Sequence, residues 1–158
     1  DDDITTKMMT DDGIQASGVI SVASNAVPGA VVQLTRAILG GNTSAAQKLQ
    51  EDLSPLFGIV TVKADNERQL PNGSTATVTD KFRNPLAIKT LMNGLGMSAG
   101  PCRQPLGKMT AAGVEVVRNA ARETHRRNPD ILSPINDSYG VNVEDRLADD
   151  SIWNGLSY

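Results

Sequence analysis

The chain has 158 residues and a mass of 16.7 kDa, enough for one domain with a sizeable core and too short for a whole (β/α)₈ barrel, which takes about 250 residues. Hydrophobic residues at 39% and charged residues at 21% exclude wholesale disorder, and aromatics at 3% leave an aliphatic core with no stacking surface for single-stranded nucleic acid. Fifteen basic against 18 acidic residues give a net charge of −3 and no basic stripe for duplex binding, while the lone Cys102 excludes an internal disulfide and a cysteine-rich metal site.

In chain order, the acidic start Asp1-Asp2-Asp3 is the opposite of a signal peptide, and no apolar run approaches the roughly 18 residues of a membrane span. A cytoplasmic protein without membrane or nucleic-acid partners is expected. Ile4, Met8 and Met9 form one face of a short helix. The run Gly18-Val19-Ile20-Ser21-Val22-Ala23-Ser24 is short, β-branched and mostly apolar, which predicts a strand buried on both faces, as in a parallel sheet. Asn25 to Gly29 is a turn, and Pro28 suits the first turn of a helix whose inward line is Val27, Val31, Leu34 and Ile38. Gly40-Gly41 stops it. Thr43 or Ser44 then caps a second helix with Ala46, Leu49, Leu53 and Leu56 inward, giving a tight helix pair.

Residues 58–63 and 74–79 both have β character and are separated by a polar stretch ending in Pro71-Asn72-Gly73, which predicts a β-hairpin or a partly ordered insertion. Asn84-Pro85 starts a third helix, capped by Asn84, with Leu86, Ile88, Leu91, Met92 and Leu95 on its apolar side and Gly94 and Gly96 closing it. Residues 100–106 are a loop. Thr110 caps a fourth helix that runs to about Arg126, with Val114, Val117 and Ala121 inward, and Asn128-Pro129 ends it. From 130 onward few apolar residues are periodic, and five acids lie between 136 and 158, so this tail is expected to wrap a surface or partner, anchored by Trp153.

Candidate chemistry is sparse. Arg118, Arg122, Arg126 and Arg127 form the only basic cluster and read as a solvated helix face. His125, among them, reads as a surface histidine at a helix C-terminus; with Cys102 it offers no metal-ligand set. Asp1, Asp2, Asp3, Asp11 and Asp12 do not have EF-hand spacing and read as a solvated acidic end. Gly40-Gly41 and Gly94-Leu95-Gly96 lack the context of a phosphate loop. Lys63, after Ile59-Val60-Thr61-Val62, stands where a buried amine could do Schiff-base chemistry, but its strand alternates toward solvent and no helix crossover follows. The residues by themselves propose no catalytic group, cofactor or metal.

Four stretches, in order, carry a resemblance: Gly18-Val19-Ile20-Ser21-Val22-Ala23-Ser24-Asn25 with Pro28; residues 40–57, ending Leu53-Ser54-Pro55-Leu56-Phe57; Asn84-Pro85-Leu86-Ala87-Ile88-Lys89; and Cys102-Arg103-Gln104-Pro105-Leu106. Together they resemble the dihydrodipicolinate synthase family, pyruvate-dependent class I aldolases of the N-acetylneuraminate lyase type. On this resemblance residues 18–24 are the eighth barrel strand and Asp1-Asp2 follow the seventh. The implied class is α/β: the last strand and helices of a (β/α)₈ TIM barrel plus a C-terminal helical appendix, mostly α in this chain. Residues 1–41 would end the barrel, 42–127 would form the helical region with an insertion over 58–83, and 128–158 would extend past the family's usual end.

The implied activity is a lyase of lysine and diaminopimelate biosynthesis, condensing pyruvate, held as a lysine imine, with aspartate 4-semialdehyde. The family's imine lysine, tyrosine proton relay and threonine pair would all precede Asp1. Of the pyruvate-site residues only one carries over, onto Ile20, an apolar side chain that can wall a pocket at the end of a barrel strand; Ile20 as plain barrel core is the bland alternative. Asn25 would brace the strand-to-helix turn. The expected partners are the N-terminal part of the same enzyme and further copies in a homo-oligomer, a homotetramer. A non-catalytic helical interaction or scaffold module is the reading from another class, motivated by the missing nucleophile, the polar hairpin and the acidic tail.

Overall fold

A computed structural model describes residues 2–158; Asp1, part of the acidic start, lies outside the described residues. A short 3₁₀ turn at Asp2–Ile4 leads into α1 (Thr5–Thr10), with Met9 buried and Ile4 and Met8 exposed, so only part of the expected apolar face is used. The antiparallel pair α2 (Pro28–Leu39) and α3 (Thr43–Phe57) follows as local signals dictate. Proline sits in the first turn of α2, where its missing N–H costs nothing, and Gly41 takes a left-handed φ of +69° in the turn between the helices. The cap of α3 is one residue earlier than expected: Asn42 Oδ1 accepts from Ala45 N at 3.2 Å. Leu34, Leu53 and Leu56 interlock with essentially no exposure.

The insertion is an ordered antiparallel hairpin, β1 (Val62–Gln69) and β2 (Thr75–Phe82), in register from Val62 opposite Phe82 to Gln69 opposite Thr75. It begins later than its β-branched run suggested, because Gly58–Val60 forms a 3₁₀ turn that buries Ile59. Its turn closes with Leu70 N donating to Ser74 O at 2.8 Å, and Gly73 there has φ +83°. α4 (Leu86–Gly94) starts behind Pro85, and Asn84 makes no capping bond, contrary to expectation. α5 (Ala111–Arg127) is capped as read, Thr110 Oγ1 accepting from Gly113 N at 3.2 Å. It lies at the centre of the molecule, against α3, α4 and β1, with Val117 and Ala121 fully buried.

The tail is the larger surprise. It folds into α6 (Pro134–Tyr139), α7 (Val143–Ala148) and α8 (Asp150–Asn154), and it packs on this chain's own helices. Ile131, Leu132, Ile135, Val143, Leu147 and Trp153 are all buried; the helices are too short for their apolar residues to show a period. The clasp is polar as well. Arg118, expected on a solvated face, is 4% exposed and donates to Leu147 O and Ala148 O and to Asp150 Oδ1 at 2.6 Å. Two of the acceptors are C-terminal carbonyls of α7, which need donors, and each nitrogen of the buried guanidinium makes at least one bond. Arg146 in turn reaches Gly94 O and Asn93 O.

The strand expected over 18–24 is not formed. Residues 18–21 run without regular structure, and Ala23–Asn25 form a 3₁₀ turn. A parallel strand exists only through bonds to its neighbours, and no backbone N–H of residues 17–22 finds a partner among the described residues. The described residues show mixed α and β structure, mostly helical with one two-stranded sheet.

Candidate functional site

The segment 18–25 is held at one end and open along its length. Its anchor is Asp2, which the sequence placed on a solvated acidic end but which is 2% exposed: Oδ2 accepts from Ala23 N at 2.9 Å. Its other oxygen is buried without a partner among the described residues. The turn that follows is braced twice. Ser24 Oγ donates to Ser21 O at 2.7 Å while Ser24 N donates to Ser21 Oγ, and Asn25 Nδ2 donates to Val22 O at 3.0 Å. Asn25 therefore has the bracing position expected of it. Its brace directs the chain into α2 with Pro28 in the first turn.

Ile20 stands fully exposed between two grooves. One, of about 490 Å³, is lined by Ile20, Val22, Asn25, Pro85, Ile88 and Met92 and lies against α4. The other, of about 480 Å³, lies against α2 and is walled by Val19, Pro28, Val31, Val32 and Thr35. An apolar side chain bare to water beside an unpaired backbone edge is a costly arrangement for a lone surface. Lys89 lines the first groove, but its Nζ donates to Pro101 O at 2.9 Å. A third, larger cavity of about 550 Å³ opens between the start of α2 and α6, and among the described residues Asp130 is the only charged side chain lining it.

The other sequence candidates do not join this place. Lys63 is exposed on β1 and lines neither groove. Cys102 is a free, half-buried thiol in the 100–107 loop. His125 is half-buried rather than on the surface, with Nδ1 buried and unpartnered among the described residues, because α5 is covered on this side by its neighbours. The described residues contain no cluster of three or more His, Cys, Asp or Glu suited to a metal ion and no helix long and apolar enough to cross a membrane. Arg126 and Arg127, by contrast, are exposed as read, and both hold Glu123; their hydrogen bonds, Arg126 first, keep its carboxyl down at about 2. The buried polar group of this segment that sequence reasoning missed is the Asp2 carboxylate, and no local signal marks its burial, since its partner is 21 residues away.

A sequence model of the dihydrodipicolinate synthetase family matches residues 1–124. The chain is 34% identical over 110 residues to the 4-hydroxy-tetrahydrodipicolinate synthase of Methanothrix thermoacetophila, covering 70% of this chain and 30% of that protein. It is 30% identical over 123 residues to the 4-hydroxy-tetrahydrodipicolinate synthase of Methanococcoides burtonii, covering 78% and 35%. The chain thus spans about a third of the length of these curated relatives. No solved structure matches it.

Proposed function

The chain belongs to the dihydrodipicolinate synthetase family, and on that premise we propose that it is the C-terminal portion of a pyruvate-dependent aldolase of lysine and diaminopimelate biosynthesis. In that enzyme pyruvate, held as a lysine imine, condenses with aspartate 4-semialdehyde. Residues 1–41 then end the barrel, 42–127 form the helical appendix with its hairpin insertion, and 128–158 are an extension clasped to it. The observation that carries the reading is the segment 18–22: its backbone N–H groups have no partner among the described residues, both flanks are grooves, and Ile20 is bare. Those are the properties of a strand awaiting neighbours on both sides.

With neighbours in place, Ile20 would wall the pocket that takes the pyruvate methyl and exclude water from the imine. Asp2, by holding Ala23 N, would fix the depth at which Ile20 presents itself; this is positioning, and no proton transfer is assigned to it. The lysine that forms the imine would be contributed from outside these residues, so the enzyme would work as an assembly with its N-terminal part; a homo-oligomer in the cytoplasm belongs to the same proposal. The test is borohydride trapping with pyruvate, read by peptide mass. No lysine of this chain should be labelled alone, and label should appear on the complementing part when the two are combined. Label on Lys63, Lys89 or any other lysine of this chain would overturn the assignment.

A further inference from the structure

The hairpin has one guarded edge and one open one. β1 packs on α5 and carries Lys63, Asp65, Glu67 and Arg68, the kind of charges that discourage strand addition. β2 lies outermost, and its residues 75–79, Thr-Ala-Thr-Val-Thr, are uncharged and largely β-branched. Leu70 N bonds Ser74 O, so along the ladder the pairs alternate and Ala76, Val78 and Asp80 turn their backbone groups toward β1. The N–H and C=O groups of Thr75, Thr77, Thr79 and Lys81 therefore point outward, and none of these N–H groups has a partner among the described residues. The threonine hydroxyls do not cover them, because Thr77 and Thr79 donate across the hairpin to Glu67 and Asp65. An isolated two-stranded hairpin is marginal in water, and this one is packed only at its base, through Val62, Ala64 and Phe82.

We propose that the outer edge of β2 pairs antiparallel with β2 of a second copy of this chain, about a two-fold axis at Val78, to make a four-stranded sheet. A second copy fits because the edge is self-complementary. In this register Thr77 lies opposite the second copy's Thr79, Thr75 opposite its Lys81, Ala76 opposite its Asp80, and Val78 opposite itself, so no like charges face each other. Asp80 is already neutralised, by Arg68 Nη2 at 2.6 Å and Asn66 Nδ2 at 2.8 Å. The two Val78 side chains, half-buried in one copy, meet on the same face as the buried base of the hairpin. The pairing is independent of the aldolase reading and of the free segment 18–22.

The contact is small, so association is read by sedimentation of the 158-residue chain from about 10 µM to about 1 mM. A species of twice 16.7 kDa is expected at the upper end. Thr77→Pro removes one outward N–H without touching the β1–β2 ladder and should abolish that species while the far-UV spectrum is kept. A register test does not depend on this variant folding. In a Cys102→Ser background, Val78→Cys should cross-link to itself on mild oxidation, because a non-hydrogen-bonded antiparallel pair brings Cα atoms to about 4.5 Å, within disulfide reach. Ala76→Cys, opposite the second copy's Asp80, should not. A monomer throughout the range, a dimer that survives Thr77→Pro, or equal cross-linking at 76 and 78 would each overturn the proposal.

Discussion

Gly94 and Trp153 should show a mutation whose sign depends on its neighbour. Gly94 ends α4 directly under the indole, and a Cβ built there falls 2.3 Å from Trp153 Cη2 and 2.6 Å from Cζ3. Carbon atoms rest at about 3.5–4.0 Å, so the methyl of Gly94→Ala requires the ring to move by more than about 1 Å. The ring is not free to move: Trp153 is 1% exposed, its Nε1 donates to Arg146 O at 2.9 Å, and the Arg118 guanidinium lies 5.9 Å from the ring centroid. Overpacking of this kind costs about 1–3 kcal/mol, and Trp153→Ala by itself costs about 3–5 kcal/mol. In the Trp153→Ala background the clash is gone, the new methyl fills part of the cavity, and alanine over glycine in a helix gains up to about 1 kcal/mol. Gly94→Ala should then stabilise, for a coupling energy of about 1.5–4 kcal/mol. Urea unfolding of the four proteins measures it, and each kcal/mol should appear as about 2–4 °C in Tm for a chain of this size. Effects that add to within about 0.5 kcal/mol would refute the claim that the tail's indole and the end of α4 share one space.

Other consequences are shorter to state. Arg118→Leu leaves Ala148 O without its donor and Leu147 O with only the Arg122 Nε bond, and should cost about 2–4 kcal/mol, mostly as early loss of tail protection in hydrogen exchange; a tail that still melts with the core would contradict this. Glu123 is held at about 2 against an ordinary 4.5 by Arg126 and Arg127, so its stabilising contribution is full above about pH 4.5 and disappears as pH falls toward 2. Since Arg127 also bridges to Glu51 O and Ser54 Oγ on α3, Glu123→Gln should flatten the acid limb of a Tm-versus-pH curve in that window, and an unchanged slope would count against the arrangement. Asp2→Ala frees Ala23 N and should increase proteolytic nicking within 17–25 while leaving the α2–α3 pair intact; equal nicking rates would remove Asp2 from its anchoring role.

Much of this architecture is written in local sequence. The proline at the start of α2, the glycine pair behind it, the threonine cap of α5 and the Pro-Asn-Gly turn act within four residues of themselves. Each was legible for that reason, with errors of a residue or two where Asn42 and Pro85 took the capping positions from Thr43 and Asn84. The family too could be read, from four motifs in order. What the sequence could not show depends on distance along the chain. Asp2 is buried only because Ala23 returns to it, and Arg118 leaves the solvated face only because Leu147 and Ala148 arrive with bare carbonyls. The run 18–24 has the composition of a buried strand, but composition gives a preference for extended backbone and not the partners that make a strand. The tertiary structure leaves its edge and Ile20 uncovered. Local rules thus determined the helices, caps and turns of this chain, whereas which polar groups are buried, and which edges remain to be covered, was decided by contacts across 20 residues or more.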